Sequence, residues 1–178
     1  MGTSSKALAE KLRKLVRQQH GCFTAAQAIE VGYADSVHLY HVRNGKWVRV
    51  FRGVYRHAEW PETPEARCMA ALLWTRDKIG NIQGFLSPNT LKMLQNGALS
   101  PSDPIQLQVP KGFRRSAKIP KGILVEILDL AGHNTSNYGI FPILTTPQPT
   151  PIHHPPTMDM PDYYDWLDYQ AVLCEKNG

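Results

Sequence analysis

The chain has 178 residues, 42% of them hydrophobic and 20% charged, with a net charge of +5. This fits one large domain or two small ones with a packed core, and it excludes a membrane protein, since no apolar run nears the ~18 residues of a spanning helix. Charge is uneven: residues 1–60 carry net +6, residues 61–150 net +3 and residues 151–178 net −4, so a polyanionic partner is expected at the N-terminal third.

The N-terminus, "MGTSSKALAEKLRKLVRQQ", lacks the uninterrupted apolar centre of a signal peptide. Lys6 stands where a myristoylation signal needs Ser or Thr. A cytoplasmic protein is therefore expected. Leu8, Leu12, Leu15 and Val16 form the stripe of an amphipathic helix that ends by Gly21. In "TAAQAIEVG", Thr24 and Gln27 have capping-box spacing and Gly32 suits the left-handed position after a two-turn helix.

After the turn Gly32-Tyr33-Ala34, Asp35 or Ser36 can cap a third helix that ends near Asn44-Gly45. On a helical wheel, Leu39 and Val42 fall on one side and are expected to pack inward. Val37, Tyr40, His41 and Asn44 fall on the other, with Ser36 at its edge. "KWVRVF" and "GVYRH" read as two strands of a hairpin turning at Arg52-Gly53. Helix, helix, turn, helix and hairpin within about 55 residues is the order of a winged helix-turn-helix.

Thr63-Pro64 and Ser87-Pro88 each open a further helix with a cap followed by proline. The first has the stripe Ala66, Met69, Ala70 and Leu73 and is expected to end near Gly80. The second has Leu91 and Leu94 inward and stops at Gly97. "IQLQVP" (105–110) alternates with period two, whereas "ILVEIL" (123–128) and "GIFPIL" (139–144) are more hydrophobic and expected to be more buried. From Thr145 to Pro161 six of seventeen residues are proline, which reads as an extended linker. An acidic, aromatic segment comes next, with a helix expected over 163–174. The fold class expected is α+β: a winged helix-turn-helix over 1–60, a small mixed α/β domain over 61–147, and a Pro-rich, acidic tail over 148–178.

A helix with a wing after it suggests double-stranded DNA, because a helix fits the major groove and cations on both elements would meet phosphates on its two sides. The candidate base-facing residues are Ser36, Val37, Tyr40, His41 and Asn44. Arg43 on the flank, and Lys46, Arg49, Arg52 and Arg56 on the wing, are the phosphate candidates. A second basic run, "KGFRRSAKIPKG", places Lys111, Arg114, Arg115, Lys118 and Lys121 on an expected loop or hairpin tip without an acid. A second nucleic-acid contact, a dock for an acidic surface and a plain solvated connection all fit it.

His38 and His41 have the spacing of a two-ligand metal face but no third ligand nearby, and no metal or cofactor is expected. Cys22, Cys68 and Cys174 are odd in number and lack zinc-ligand spacing, so reduced, buried thiols are expected. No phosphate-cradling loop, nucleophile elbow, HExxH or spaced carboxylate set is present, and no catalysis is expected.

The stretch "GCFTAAQAIEVGYADSVHLYHVRNGKWVRVFRGVYR" resembles the N-terminal winged-helix domain of AbiEi-type antitoxins, from bacterial abortive-infection (type IV toxin–antitoxin) systems. Phe23-Thr24, Ala28, Gly32, Leu39, Val42, Gly45 and Gly53-Val54-Tyr55 carry the likeness. "ALLWTRDKIGNIQGFLSPNTLKML" and "IQLQVPKGFRRSAKIPKGI" are similar to the middle region of those proteins, so the resemblance runs over roughly 10–146. It implies a DNA-binding regulator acting on its own promoter. It also implies that residues after the wing neutralise a cognate nucleotidyltransferase-like toxin. After "TTP" the sequence departs from that pattern, reading "TTPQPTPIHH", which bears on neutralisation more than on DNA binding. The competing readings are a protein-interaction module built on a winged helix, and a nuclease-related fusion that has lost catalysis.

Overall fold

A computed structural model describes residues 4–113 and 118–146, all within a single unit, residues 1–147. The described chain is α+β, with five α-helices and two sheets. The Pro-rich segment, the helix expected over 163–174 and Cys174 lie outside the described residues.

The amphipathic stripe at the N-terminus becomes α1 (Ser5–Arg17), with Leu12 and Val16 buried. Strand β1 (Cys22–Thr24), too short for a sequence pattern, leads into α2 (Ala25–Val31). The Thr24 hydroxyl accepts from the Gln27 backbone N–H at 3.2 Å, and the Gln27 side-chain oxygen Oε1 accepts from the Thr24 N–H at 2.9 Å. Two orphan donors at the helix start are thus satisfied reciprocally. Gly32 ends α2 at φ 119°, and a Cβ there would lie 2.8 Å from Leu8 Cδ2. The glycine therefore lets α1 cross closely over the end of α2.

A 3-10 turn (Asp35–Val37) then leads into α3 (His38–Arg43), with β2 (Trp47–Phe51) and β3 (Val54–His57) after it. Neither Asp35 nor Ser36 caps this segment, contrary to expectation. Strands β1, β3 and β2 form an antiparallel sheet in that order. β2 carries an irregularity between Arg49 and Phe51, and Arg52-Gly53 make the turn. Helices α1–α3 cover one face through Leu12, Val16, Phe23, Ala28 and Trp47.

The opposite face meets α4 (Pro64–Trp74), capped by Thr63 accepting from Ala66 N–H at 3.2 Å. The continuous buried run Cys68–Trp74 puts this helix inside the molecule. It joins Cys22 and Val54 of the first sheet to Leu86, Leu107 and Phe141 of the second in one core. α4 stops at Trp74 rather than near Gly80. The Thr75 hydroxyl donates to Leu72 O at 2.7 Å and accepts from Gly84 N–H at 2.9 Å, turning the chain toward β4 (Phe85–Leu86).

The second sheet also contains β5 (Ile105–Pro110), β6 (Ile123–Leu128), β7 (Asn134–Tyr138) and β8 (Phe141–Thr145), in the order β6-β5-β4-β8-β7. The cap-and-proline start at Ser87 opens α5 (Pro88–Gln95). β5 alternates buried and half-buried residues as its sequence predicts. β6 does not have the burial its hydrophobicity predicts: it is an edge strand, with Leu124 50% and Ile127 62% exposed. β5 and β6 are parallel, so the basic run between them is a crossover connection and not a hairpin tip.

Candidate nucleic-acid interface

Trp47, at the start of β2 and 3% exposed, is the hub of an aromatic cluster. Phe23 meets it edge-on at 4.9 Å, Tyr33 edge-on at 5.2 Å, and Tyr55 lies at 5.7 Å. Helix α3 adds two imidazoles. His41 stacks on the indole at 4.6 Å and 27°, and His38 packs at 5.4 Å.

These contacts turn α3 away from the orientation expected from a regular wheel. His38 is 3% exposed, while Leu39, expected inside, is 54% exposed beside Tyr40 at 59%. His41, expected to face bases, is half-buried against Trp47. Val37 is also half-buried. The physical reason is twofold. A 3-10 turn advances about 120° per residue instead of about 100°, so its residues shift the phase with which α3 begins. Flat imidazoles also fit the face of Trp47 better than a branched Leu39 would. The exposed face becomes Ser36, Leu39, Tyr40 and Arg43.

The helix-to-hairpin joint is rigidly specified. Gly45 N–H donates to Val42 O at 3.1 Å and Lys46 N–H donates to His41 O at 3.0 Å, the paired bonds of a Schellman ending. Gly45 has φ 67°. Asn44 and Lys46 are thereby held, both exposed, between α3 and β2.

Arg43, Lys46, Arg49 and Arg52 are exposed, and among the described residues none of them makes an ion pair or a side-chain hydrogen bond. Arg56 differs from the expectation. Its side chain is largely buried, sits 3.6 Å from Glu62 and donates to Trp60 O. It fastens the end of the hairpin to the chain entering α4 instead of facing solvent. In the second basic run Lys111 is paired with Asp129 at 2.6 Å, whereas Lys118 and Lys121 are exposed. Arg114 and Arg115 lie outside the described residues.

Burial lowers the pKa of His38, with Asp35 opposing. Burial also lowers His41, helped by Lys46, His38 and His57, and lowers His57, with Glu59 opposing. The rings on Trp47 are therefore neutral at pH 7. Burial pushes the Cys22 and Cys68 thiols up to about 12, as suits packing rather than reactivity. Among the described residues no three His, Cys, Asp or Glu side chains are grouped so as to hold a metal ion, and no helix is long and apolar enough to cross a membrane.

Every side chain of this surface, from β1 to the end of β3, lies in a stretch that matches a known family model. Residues 10–57 match the transcriptional regulator family of AbiEi antitoxins. The AbiEi-type match begins inside α1 and ends on His57, the last residue of β3. It thus takes in the aromatic cluster, the α3 face and the cationic hairpin together, and leaves α4 and the second sheet outside. No curated protein matches the chain. The sequence signal that could have found the outward placement of Leu39 is the Asp35-Ser36 start, which favours a tight turn over a regular first helical turn.

Proposed function

We propose that this protein is a DNA-binding transcriptional regulator whose residues 5–57 act as a winged helix-turn-helix. In this reading α3 enters the major groove with Ser36, Leu39, Tyr40 and Arg43 toward base edges and phosphates, and Asn44 at its end. Lys46, Arg49 and Arg52 on the hairpin hold the flanking backbone. Exposed Leu39 supplies an apolar contact of the kind that suits a thymine methyl, and Asn44 the bidentate chemistry that suits adenine. His41 and Arg56 leave the reading set because both are engaged inside the fold.

The observation that carries the proposal is the four exposed cations without acid partners on α3 and the hairpin, within the stretch that matches the AbiEi antitoxin regulators. Its own promoter is the proposed target. The test is a gel shift of the purified protein on the DNA upstream of its gene and on a scrambled duplex, across a salt series. Salt-sensitive binding that favours the upstream DNA is expected. Absence of any shift overturns the proposal and favours a protein-docking role for the same Leu39–Tyr40 face.

Neutralisation of a cognate toxin is assigned in this proposal to residues after the hairpin, outside the matched stretch. Co-expression with a nucleotidyltransferase-like neighbour tests it. Rescue of growth by the full chain, retained when Arg49 and Arg52 are both alanine, is the expected result. Failure of the full chain to rescue removes the assignment.

A further inference from the structure

We infer that the cleft between α1 and the base of the hairpin is an effector site for a small planar aromatic acid, whose binding weakens the hold on DNA by drawing Lys46 away from phosphate. The effect on DNA rests on the proposed DNA contact, whereas the binding of the acid does not. The cleft measures about 360 Å³, within the ~300–1,000 Å³ of small-molecule sites. One wall is α1, where Ser5, Ala9 and Arg13 follow at intervals of four and so form a single row along the helix. The opposite wall is the α3–β2 joint, with Gly45, Lys46 and Trp47, and the segment after β3, with Ala58 and Glu59.

The walls are tied together around the space they enclose. Arg13 Nη2 donates to both carboxylate oxygens of Glu59, at 2.7 and 3.0 Å, and so fastens α1 to the segment after β3. Ala58 N–H donates to Lys46 O at 2.9 Å, which fastens that segment to the head of the hairpin. Small residues at Ser5, Ala9, Gly45 and Ala58 keep the cleft open between these ties.

The chemistry of the lining selects the occupant. Tyr33, His41 and His57 line the cleft and are each half-buried, and the nearly buried Trp47 adds a fourth ring. Such a lining favours a flat aromatic ligand, through stacked or edge-on contact, over an aliphatic one. Charge selects the sign. Arg13 and Glu59 cancel each other, which leaves Lys46 as the uncompensated charge of the lining. Donors are also in excess. Arg13 Nε and Nη1 make no bond among the described residues. His57 Nδ1 accepts from Glu59 N–H at 3.4 Å, which puts the proton of the neutral ring on Nε2. A carboxylate held by Lys46 and Arg13, on a ring set against Tyr33 and His41, meets both conditions. His41 connects the site to α3. Its Nδ1 is buried with no hydrogen-bond partner among the described residues, so ring contacts with Trp47 and Tyr33 seat the imidazole. An occupant therefore touches both a ring that seats α3 and the cation at the head of the hairpin.

The probe is naphthoate, with naphthylmethylammonium as the cation of the same shape and cyclohexanecarboxylate as the aliphatic anion. Titrated into the isotopically labelled full chain, naphthoate should move the amide NMR signals of Gly45, Lys46 and Ala58 saturably, with a dissociation constant on the order of 1 mM or below. Signals of Leu107 and Val109 in the second sheet should stay in place. The cation and the aliphatic acid should each bind about fivefold more weakly. Lys46→Gln, at an exposed site, should weaken naphthoate by a similar factor and leave the melting temperature alone. Ala9→Met fills the cleft from a half-buried position that the proposed DNA contact does not use. It should abolish naphthoate binding and keep the affinity for upstream DNA. At matched ionic strength, saturating naphthoate should flatten the salt slope of DNA binding by about 0.9, one phosphate contact, and should not do so in Ala9→Met. Absence of a saturable shift, equal binding of the cation, or indifference to Ala9→Met overturns the site. Saturable binding with an unchanged salt slope overturns its coupling to DNA. A chain that binds naphthoate and no DNA keeps the site and removes the coupling.

Discussion

Replacing Arg49 and Arg52 together by alanine is the sharpest probe of the proposed DNA contact. Both are exposed, and neither has an acid to release among the described residues, so the fold should not change. Arg43, Lys46, Arg49 and Arg52 give four candidate phosphate contacts. With a slope of about −0.9 per contact, log affinity should fall against log salt by about −3.6, a loss of about 150-fold between 50 and 200 mM. The double variant should halve that slope to about −1.8, so the same salt step costs it only about 12-fold. The slope should flatten equally on upstream and scrambled duplexes, because phosphates carry no sequence. Fluorescence anisotropy over a potassium chloride series reads both slopes directly. Arg56→Ala is the control: it should lower thermal stability through loss of the Glu62 and Trp60 contacts and leave the slope alone. An unchanged slope in the double variant, or a flattening by Arg56→Ala of the same size, refutes the assignment.

The same geometry sets the outcome of other perturbations. Tyr40→Ala should reduce the preference for upstream over scrambled DNA by ~1–3 kcal/mol without moving the melting temperature, given its 59% exposure; equal loss on both duplexes would contradict a reading role. Gly32→Ala, forced to keep φ 119° with its new methyl 2.8 Å from Leu8, should cost about 1–3 kcal/mol in urea unfolding. Gly45→Ala, with open space around it, should cost about 1–2 kcal/mol, the backbone part alone. Burial holds His38, His41 and His57 below the ordinary histidine range, so on acidification the unfolded chain protonates first, near pH 6.5. Their contribution is complete above that pH and is lost as pH falls through the folded-state values. Melting temperatures from pH 8 to pH 5 should drop, and His38→Phe should make the drop shallower.

What the sequence made legible was local chemistry whose partners lie close in the chain. The Thr24–Gln27 box, the Thr63-Pro64 and Ser87-Pro88 starts, Gly32 and the alternation of β5 each depend on neighbours within a few residues. What escaped depends on distant contacts. β1 and β4 are strands only because β3, β5 and β8 lie beside them. β7 has no alternation of its own and pairs because β8 offers an edge. α4 loses its expected last turn to a Thr75 hydroxyl engaged with Gly84, nine residues on. The hydrophobicity of β6 predicts burial for a central strand, and its place at the edge could not be read from the segment itself.

The error at Leu39 and His41 has the same origin and bears most directly on function. A wheel assumes one helical phase and ranks leucine above histidine for the interior. Here a 3-10 turn resets the phase, and the preferred neighbour of α3 is an indole face, for which two neutral imidazoles are the better match. That exchange sends an aliphatic and an aromatic side chain outward beside Arg43, so the exposed face of α3 gains contact surface that the sequence pattern had assigned to the core. The same Trp47 begins β2, two residues before Arg49. One ring therefore fixes the angle between the helix and the cationic hairpin. A cavity made at Trp47 should weaken every DNA sequence alike, by letting those two elements move apart, even though the indole itself is 3% exposed and out of reach of any duplex.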